Sequence, residues 1–450
     1  MRPCLPTCIP TVGDAPMLSL TPLLELDRES RIARLATVLP LEHDAPTAPP
    51  RLTTIHGGRR AALERLAAID PVAYARTRNF VGGAVSRLSP WLRHGVLSLA
   101  EVRDAALLRV ANPVDAEKFV SELGWRDYWR QVQAALGPRI RHDIEPPAAR
   151  WRIAHQLEAM PDDVLSAQTG LACIDAFVRR LHETGWLHNH ERMWLASWLV
   201  HTRGVRWQAG ADWFLAHLLD GDPASNHLSW QWVAGTFSAK PYIFNRDNLE
   251  RFTDGVHCRE CPLLGVCPLE GTYDDLAARM FAAEPVPRDP LRIPPAPPWQ
   301  LRQDEPPGRP LVWLTLDSLA ITSPAVLRHP AAPRLFVLDP VWLAEERPTL
   351  KRLAFIFDCL AEIEGVEVVQ AAPREAVPLV ASRQGCGHVA VASTPCPATR
   401  AAAAALAAQL PVHVIDEPPF CDRSLVQDLG RFSRYWSKVS RSALTPTPDR

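Results

Sequence analysis

The stretch from Thr184 to Trp232 places charges and amides where an apolar helix would not want them. Arg192 falls among Trp186, Met193, Trp194 and Trp198, and an unpaired guanidinium in such company is costly. Asp220-Gly221-Asp222 follows the apolar run Trp213–Leu219 and offers carboxylates to Arg192 and to a ligand. Asn226 and the triplet Trp230-Gln231-Trp232 then set amide and indole donors beside flat aromatic faces. Plain core packing of a helical hairpin would account for the aromatics alone. With the polar residues, the pattern describes a pocket for a large, flat molecule with polar edges.

A second constellation is chemical in another way. Cys258, Cys261 and Cys267-Pro268 form a C-x2-C-x5-C-P run, three thiolates within one loop, as an iron–sulfur cluster needs. Zinc, with His257 completing a Cys3His set, is the competing reading. Ten cysteines in 450 residues are too few for a disulfide scaffold. A net charge of −1 excludes a generally basic nucleic-acid binder, so any such surface is a local patch. No apolar run reaches bilayer-spanning length and the first residues lack a secretory pattern, which predicts a soluble, cytoplasmic protein with no membrane partner. A monomer is expected.

These residues need elements to position them. Residues 1–50 read as a flexible N-terminal arm around one short amphipathic segment, Leu18–Leu39. Residues 51–284 are helical in pattern and include the cysteine loop 257–268. In them, Ser86-Arg87-Leu88-Ser89-Pro90 predicts a helix start, with a serine hydroxyl capping free amides that can hold an anion. Glu117–Trp129 predicts a helix bearing Glu122, Trp125, Arg126 and Trp129 near one face. Residues 285–310 are too proline-rich for helix or central strand and read as a semi-rigid linker. Across 311–420, LVWLTL, RLFVLD, VEVVQ, HVAVAS and VHVID alternate with helical stretches, which predicts an α/β, doubly wound parallel sheet. Residues 421–450 form a C-terminal helix and tail.

The ordered run TGW-x-HN-x-x-RM, then W-x-x-G-x-x-W, then DGD-x-x-x-N-x-x-x-WQW resembles the flavin-binding domain of DNA photolyases and cryptochromes. The resemblance implies an all-α domain holding FAD. Tyr74, Arg126, Asn189, Arg192 and Asp220 would then line the flavin, with Asp222 on its ribose or ring edge. Asn226 would face the reactive ring nitrogen, and Ser86, Arg87, Leu88 and Ser89 would hold the pyrophosphate. Trp125 and Trp232 match the indoles that grip a cyclobutane pyrimidine dimer flipped out of UV-damaged DNA. Glu122, Asn189 and Met193 match its other contacts. Trp230, Trp207 and Trp151 would relay electrons to the flavin. Cys173 resembles the isolated fourth ligand of iron–sulfur bacterial members, implying a [4Fe-4S] cluster.

LVWLTLDSLAITSPAVL, LFVLDP and RLAFIFDCL resemble the family's antenna domain, which here follows the flavin domain instead of preceding it. RFSRYWSKV resembles the segment that ordinarily joins the two. The antenna domain has no Gly-x-Gly-x-x-Gly loop, so its chromophore is unknown. The implied activity is light-driven electron transfer from reduced FAD that splits the dimer, that of a deoxyribodipyrimidine photo-lyase. Three alternatives stay open: a cryptochrome-like light or redox sensor, repair of (6-4) photoproducts, and a nucleic-acid-binding flavoprotein with a structural cluster. His188 and His190 flank Asn189, as the (6-4) reading would want, and His190 stands where well-known repair enzymes carry arginine.

Overall fold

The computed structural model describes residues 17–39, 54–153, 157–284, 286–299, 301 and 304–447. Helices occupy the chain from Arg59 to Met280, and the parallel strands begin at Pro310. Each main helix has a local reason for its ends. The longest, Glu117–Leu136, stops at Gly137, which takes a positive φ of 57°. Ala172–Thr184 ends on left-handed Gly185. Asn189–His201 starts in a capping box between His188 and Glu191. Pro223–Ala234 starts with Asp222 as its cap and proline in its first turn.

In chain order, the elements used below are β1 (Leu18–Ser19), α1 (Arg28–Val38), α2 (Glu117–Leu136), α3 (Ala172–Thr184), α4 (Asn189–His201), α5 (Trp207–His217) and α6 (Pro223–Ala234). They continue with β2 (Pro310–Leu314), β3 (Arg334–Leu338), α7 (Leu350–Ala361), β4 (Val366–Gln370), β5 (His388–Ala392), β6 (Val412–Ile415) and α8 (Phe432–Ala443).

All five expected runs become strands. They form one sheet in the order β1-β4-β3-β2-β5-β6, parallel except for β1. With β2 central and the order reversing there, this is a doubly wound arrangement.

β1 corrects the expected arm. Leu18 and Ser19 pair antiparallel with Gln370 and Val369, and Leu20, Leu23, Ile32 and Leu35 are buried. The Arg31 guanidinium donates to the Phe357 carbonyl, while Arg28 pairs with Asp358 at 2.9 Å. The amphipathic spacing of this segment therefore serves to dock it on α7. Residues 1–16 and 40–50 of the expected arm lie outside the described residues.

The proline-rich linker is tied down rather than loose. Ile293 is buried, its carbonyl accepts from the Leu429 amide, and its own amide donates to Asp428. Helix α7 is buried on nearly every face, its charged Lys351, Arg352 and Asp358 included. One hydrophobic cluster accordingly contains Trp91 and Phe119 together with Val312, Phe355 and Tyr435.

Candidate functional site

A cavity of about 510 Å³ opens between α2, α4, α6 and the segment 85–92. Its best-anchored wall is the turn Asp220-Gly221-Asp222. The Gly221 carbonyl accepts from Arg93 Nε at 2.8 Å and from an Arg352 guanidinium nitrogen at 2.7 Å. Arg352, fully buried on α7, also donates to the Leu215 carbonyl and pairs with Glu346 at 2.8 Å. Arg93 reaches Asp317 of the α/β domain at 2.5 Å. A side chain on Gly221 would meet the Arg352 guanidinium carbon and the Leu218 carbonyl at 3.0 Å, a tight fit that would press on the arginine.

From this turn Asp220 lines the cavity. One of its oxygens accepts from Arg192 at 2.8 Å; the other is buried without a hydrogen bond. Asp222 behaves otherwise. It caps α6 through the Ser225 amide and hydroxyl, faces Arg126 at 3.7 Å, and does not line this cavity. Burial alone would raise its carboxyl, but Arg126 and Arg93 outweigh burial and hold it down at about 2. Its expected place against a ligand is thus taken by a structural cap. Asn226 lines the cavity, its amide oriented by a 2.8 Å bond to the Ala211 carbonyl.

Ser86, Arg87, Leu88 and Ser89 all line the opposite rim. The expected serine cap is absent: Leu88 holds the cap position of the helix Ser89–Arg93, and no side chain caps it. Arg87, at φ 55°, turns the chain there and lays its guanidinium 4.7 Å above the Trp186 ring.

The α2 wall carries Glu122, Trp125, Arg126 and Trp129, all lining the cavity. Glu122 is bridged by Arg78 at 3.0 Å and by Lys118 at 2.8 Å. One face of Trp125 is already stacked on Phe432 of α8, with centroids 3.8 Å apart and planes 14° apart. Tyr74 lies edge-on to Phe119; burial, then the Glu122 carboxylate, pushes its hydroxyl up to about 12. Asn189 donates to the Met193 sulfur at 3.2 Å, and half-buried Trp232 sits against Tyr242.

The three relay candidates divide. Trp230 lines the cavity with its indole N–H buried and unpaired. Trp207 and Trp151 do not line it; they donate to Asp143 at 2.7 Å and His201 at 2.8 Å. Both nitrogens of His188 are engaged, with the His190 amide and the Arg78 carbonyl. His190 does not line the cavity; it packs on Trp194 and Phe252. Arg78 and Phe432 escaped the sequence reading, and Trp186 was read only as an aromatic near Arg192, because their partners are distant in the chain. Lys118 had a signal, its i,i+4 spacing to Glu122.

Apart from this cavity, Cys173, Cys258, Cys261, Cys267 and His257 converge on a small apolar hollow closed by Leu171, Leu249 and Leu269. Burial, then the neighbouring Cys258, pushes the Cys173 thiol up to about 12. Burial, then Glu250, pushes Cys258 up to about 11.

Residues 119–255 match the family model of the FAD binding domain of DNA photolyase. A deoxyribodipyrimidine photo-lyase of Streptomyces griseus is 43% identical over 35% of this chain and 34% of its own. One of Salmonella typhimurium is 32% identical over 57% of this chain and 53% of its own. A chloroplastic/mitochondrial cryptochrome DASH of Oryza sativa subsp. japonica is 37% identical over 40% of this chain and 32% of its own. The chain thus spans between a third and about half of the length of these relatives. The match takes in α4, α5 and α6 and nearly all of α2. The resemblance to the DNA photolyase and cryptochrome family is borne out.

Proposed function

We propose that the protein is a light-driven, FAD-dependent repair enzyme that splits cyclobutane pyrimidine dimers in DNA, a deoxyribodipyrimidine photo-lyase. The observation that carries this reading is the joining, in one cavity, of two walls of different chemistry. The cavity fits a flavin nucleotide: buried Asp220 Oδ1 and Arg126 Nε lack partners that a polar-edged ligand would supply. Arg192, Asp220, Asn226 and Tyr74 would hold the ring system, and Ser86–Ser89 its phosphates. Bound there, reduced FAD would supply the light-excited electron that opening the dimer requires.

The remaining work belongs to the chain. Phe432 stacks on one face of Trp125, and Trp125 and Trp232 both line the cavity, where they would grip the dimer. Glu122 is held by Arg78 and Lys118, a pair of cations that also suits nearby phosphates. Trp230 would be the first electron donor, with Trp207 and Trp151 beyond it. The cyclobutane lesion is favoured over the (6-4) photoproduct because neither His188 nitrogen is free and His190 turns away.

Cys173, Cys258, Cys261 and Cys267 are assigned as ligands of a [4Fe-4S] cluster. Four cysteines around one small apolar hollow supply the four thiolates that such a cluster needs. Cys258→Ala should abolish bound iron and the brown absorbance; retention of both would overturn the assignment.

The test is repair of an oligonucleotide carrying one thymine cyclobutane dimer by flavin-reduced protein, in blue light against a dark control. Light-dependent restoration is expected. A second reading, a light or redox sensor, draws on the Phe432 stack over Trp125 and on the similarity to cryptochrome DASH. No restoration of either lesion by photoreducible, flavin-loaded protein would replace the first reading by the second.

A further inference from the structure

Three histidines meet in the α/β domain and share no residue with the large cavity or the cysteine hollow. His329 follows the short helix Pro324–Arg328, His388 opens β5, and His413 is the second residue of β6. Ala390 pairs with His413 in the parallel register, and side chains alternate along a strand, so His388 and His413 share one face of the sheet. The chain leading into β3 brings His329 to the same edge. The ring centroids form a nearly equilateral triangle with sides of 6.3, 6.3 and 6.5 Å. One nitrogen from each ring lies within 4.8 Å of the other two.

Their surroundings do not explain them as core residues. His388 is fully buried and His413 is 7% exposed. Nε2 of His329, both nitrogens of His388 and Nδ1 of His413 are buried without a well-formed hydrogen bond, although the Pro307 carbonyl lies near His388. Apolar side chains would fill this space without stranding polar atoms, whereas imidazoles need a partner. On its outer side, His329 Nδ1 faces Glu305 at 3.8 Å, and Glu305 is itself held by Arg328 at 2.9 Å. A carboxylate behind an imidazole is the arrangement that directs the other ring nitrogen to a metal.

We propose that His329, His388 and His413 bind a divalent transition-metal ion of the zinc class, one nitrogen each, with Glu305 orienting His329 from the outer shell. Three neutral imidazoles select zinc, cobalt, nickel or copper over calcium or magnesium, which prefer oxygen. Nitrogens on one zinc stand about 3.3 Å apart, so the triad closes by a movement of under about 1 Å at each ring. Partly exposed His329 gives the ion its entry, and a fourth position stays open to water. The ion ties the segment before β3 to β5 and β6 across β2, bracing the sheet from its amino edge.

The experiment uses the untagged full chain, stripped of loosely held metal and titrated with cobalt(II). A histidine site shows visible d–d bands without the near-ultraviolet thiolate charge-transfer band that the cysteine loop would add. One equivalent is expected, displaced by zinc and retained in Cys258→Ala, with a rise in melting temperature on loading. His329→Gln, at the partly exposed position where folding is least at risk, and His388→Gln should each weaken binding more than tenfold. Glu305→Gln should weaken it about tenfold. Absence of a cobalt site outside the cysteine loop, or parental affinity in both histidine variants, would overturn the proposal.

Discussion

The two walls of the cavity are held in different ways. The Asp220-Gly221-Asp222 wall is fixed from behind by Arg93 and Arg352, buried arginines that span the two domains and meet on one carbonyl. The α2 wall is held by partners at the rim: Arg78 and Lys118 on Glu122, and Phe432 on Trp125. Buried arginines that each make several bonds give a rigid seat, which suits a resident cofactor. Partly exposed pairs exchange partners cheaply, which suits a substrate that comes and goes. On this account the α/β domain is the back plate of the cavity's rigid wall.

Arg352→Met attacks the rigid wall most severely. It strands Glu346 and the Leu215 carbonyl in the interior, leaves Gly221 to Arg93 alone, and should cost about 3–5 kcal/mol, read from the denaturant midpoint, with loss of bound flavin. Acid should act next. Burial, then the neighbouring His190, lowers His188 to about 4; burial, then Arg78, lowers His190 to about 4. The unfolded chain takes up these protons as pH falls below the ordinary 6.5, the folded one only near 4. Stability is therefore complete above about pH 6.5 and declines toward pH 4, so the melting temperature should drop between pH 7 and 5. His190→Phe should flatten that dependence.

Asp220→Asn keeps the shape of the turn and removes the charge facing Arg192. Flavin affinity should fall by about 1.5–3 kcal/mol in a binding titration, with little change in melting. Phe432→Ala probes the exchangeable wall. It should cost about 0.5–1.5 kcal/mol of stability for the lost stack and leave flavin content unaltered. If Phe432 braces Trp125, repair falls; if Phe432 blocks the lesion, as the sensor reading has it, repair rises.

What could be read from the sequence was what is local in the chain. The strands were legible because each is a β-branched run that repeats its pattern within five residues. The flavin wall was legible because DGD-x-x-x-N-x-x-x-WQW lies on one turn and one helix. Within that motif the two aspartates diverge: Asp220 points to the cavity and Asp222 back into the helix end, a difference set by cap geometry rather than by residue type. β1 is two residues long and has meaning only beside β4. Phe432 reaches Trp125 only because α8 docks on α2, through Tyr435 and Asp127 among others. The histidine triad needs the register of β5 and β6 before it exists at all.

The most direct test of the two-wall account is repair per bound flavin in Trp232→Ala. The account predicts parental flavin content and photoreduction, with light-dependent repair of the thymine dimer reduced more than about tenfold, a stacking loss of about 1–3 kcal/mol. Loss of the flavin together with repair would show that the walls are one unit. Undiminished repair would show that the lesion binds elsewhere.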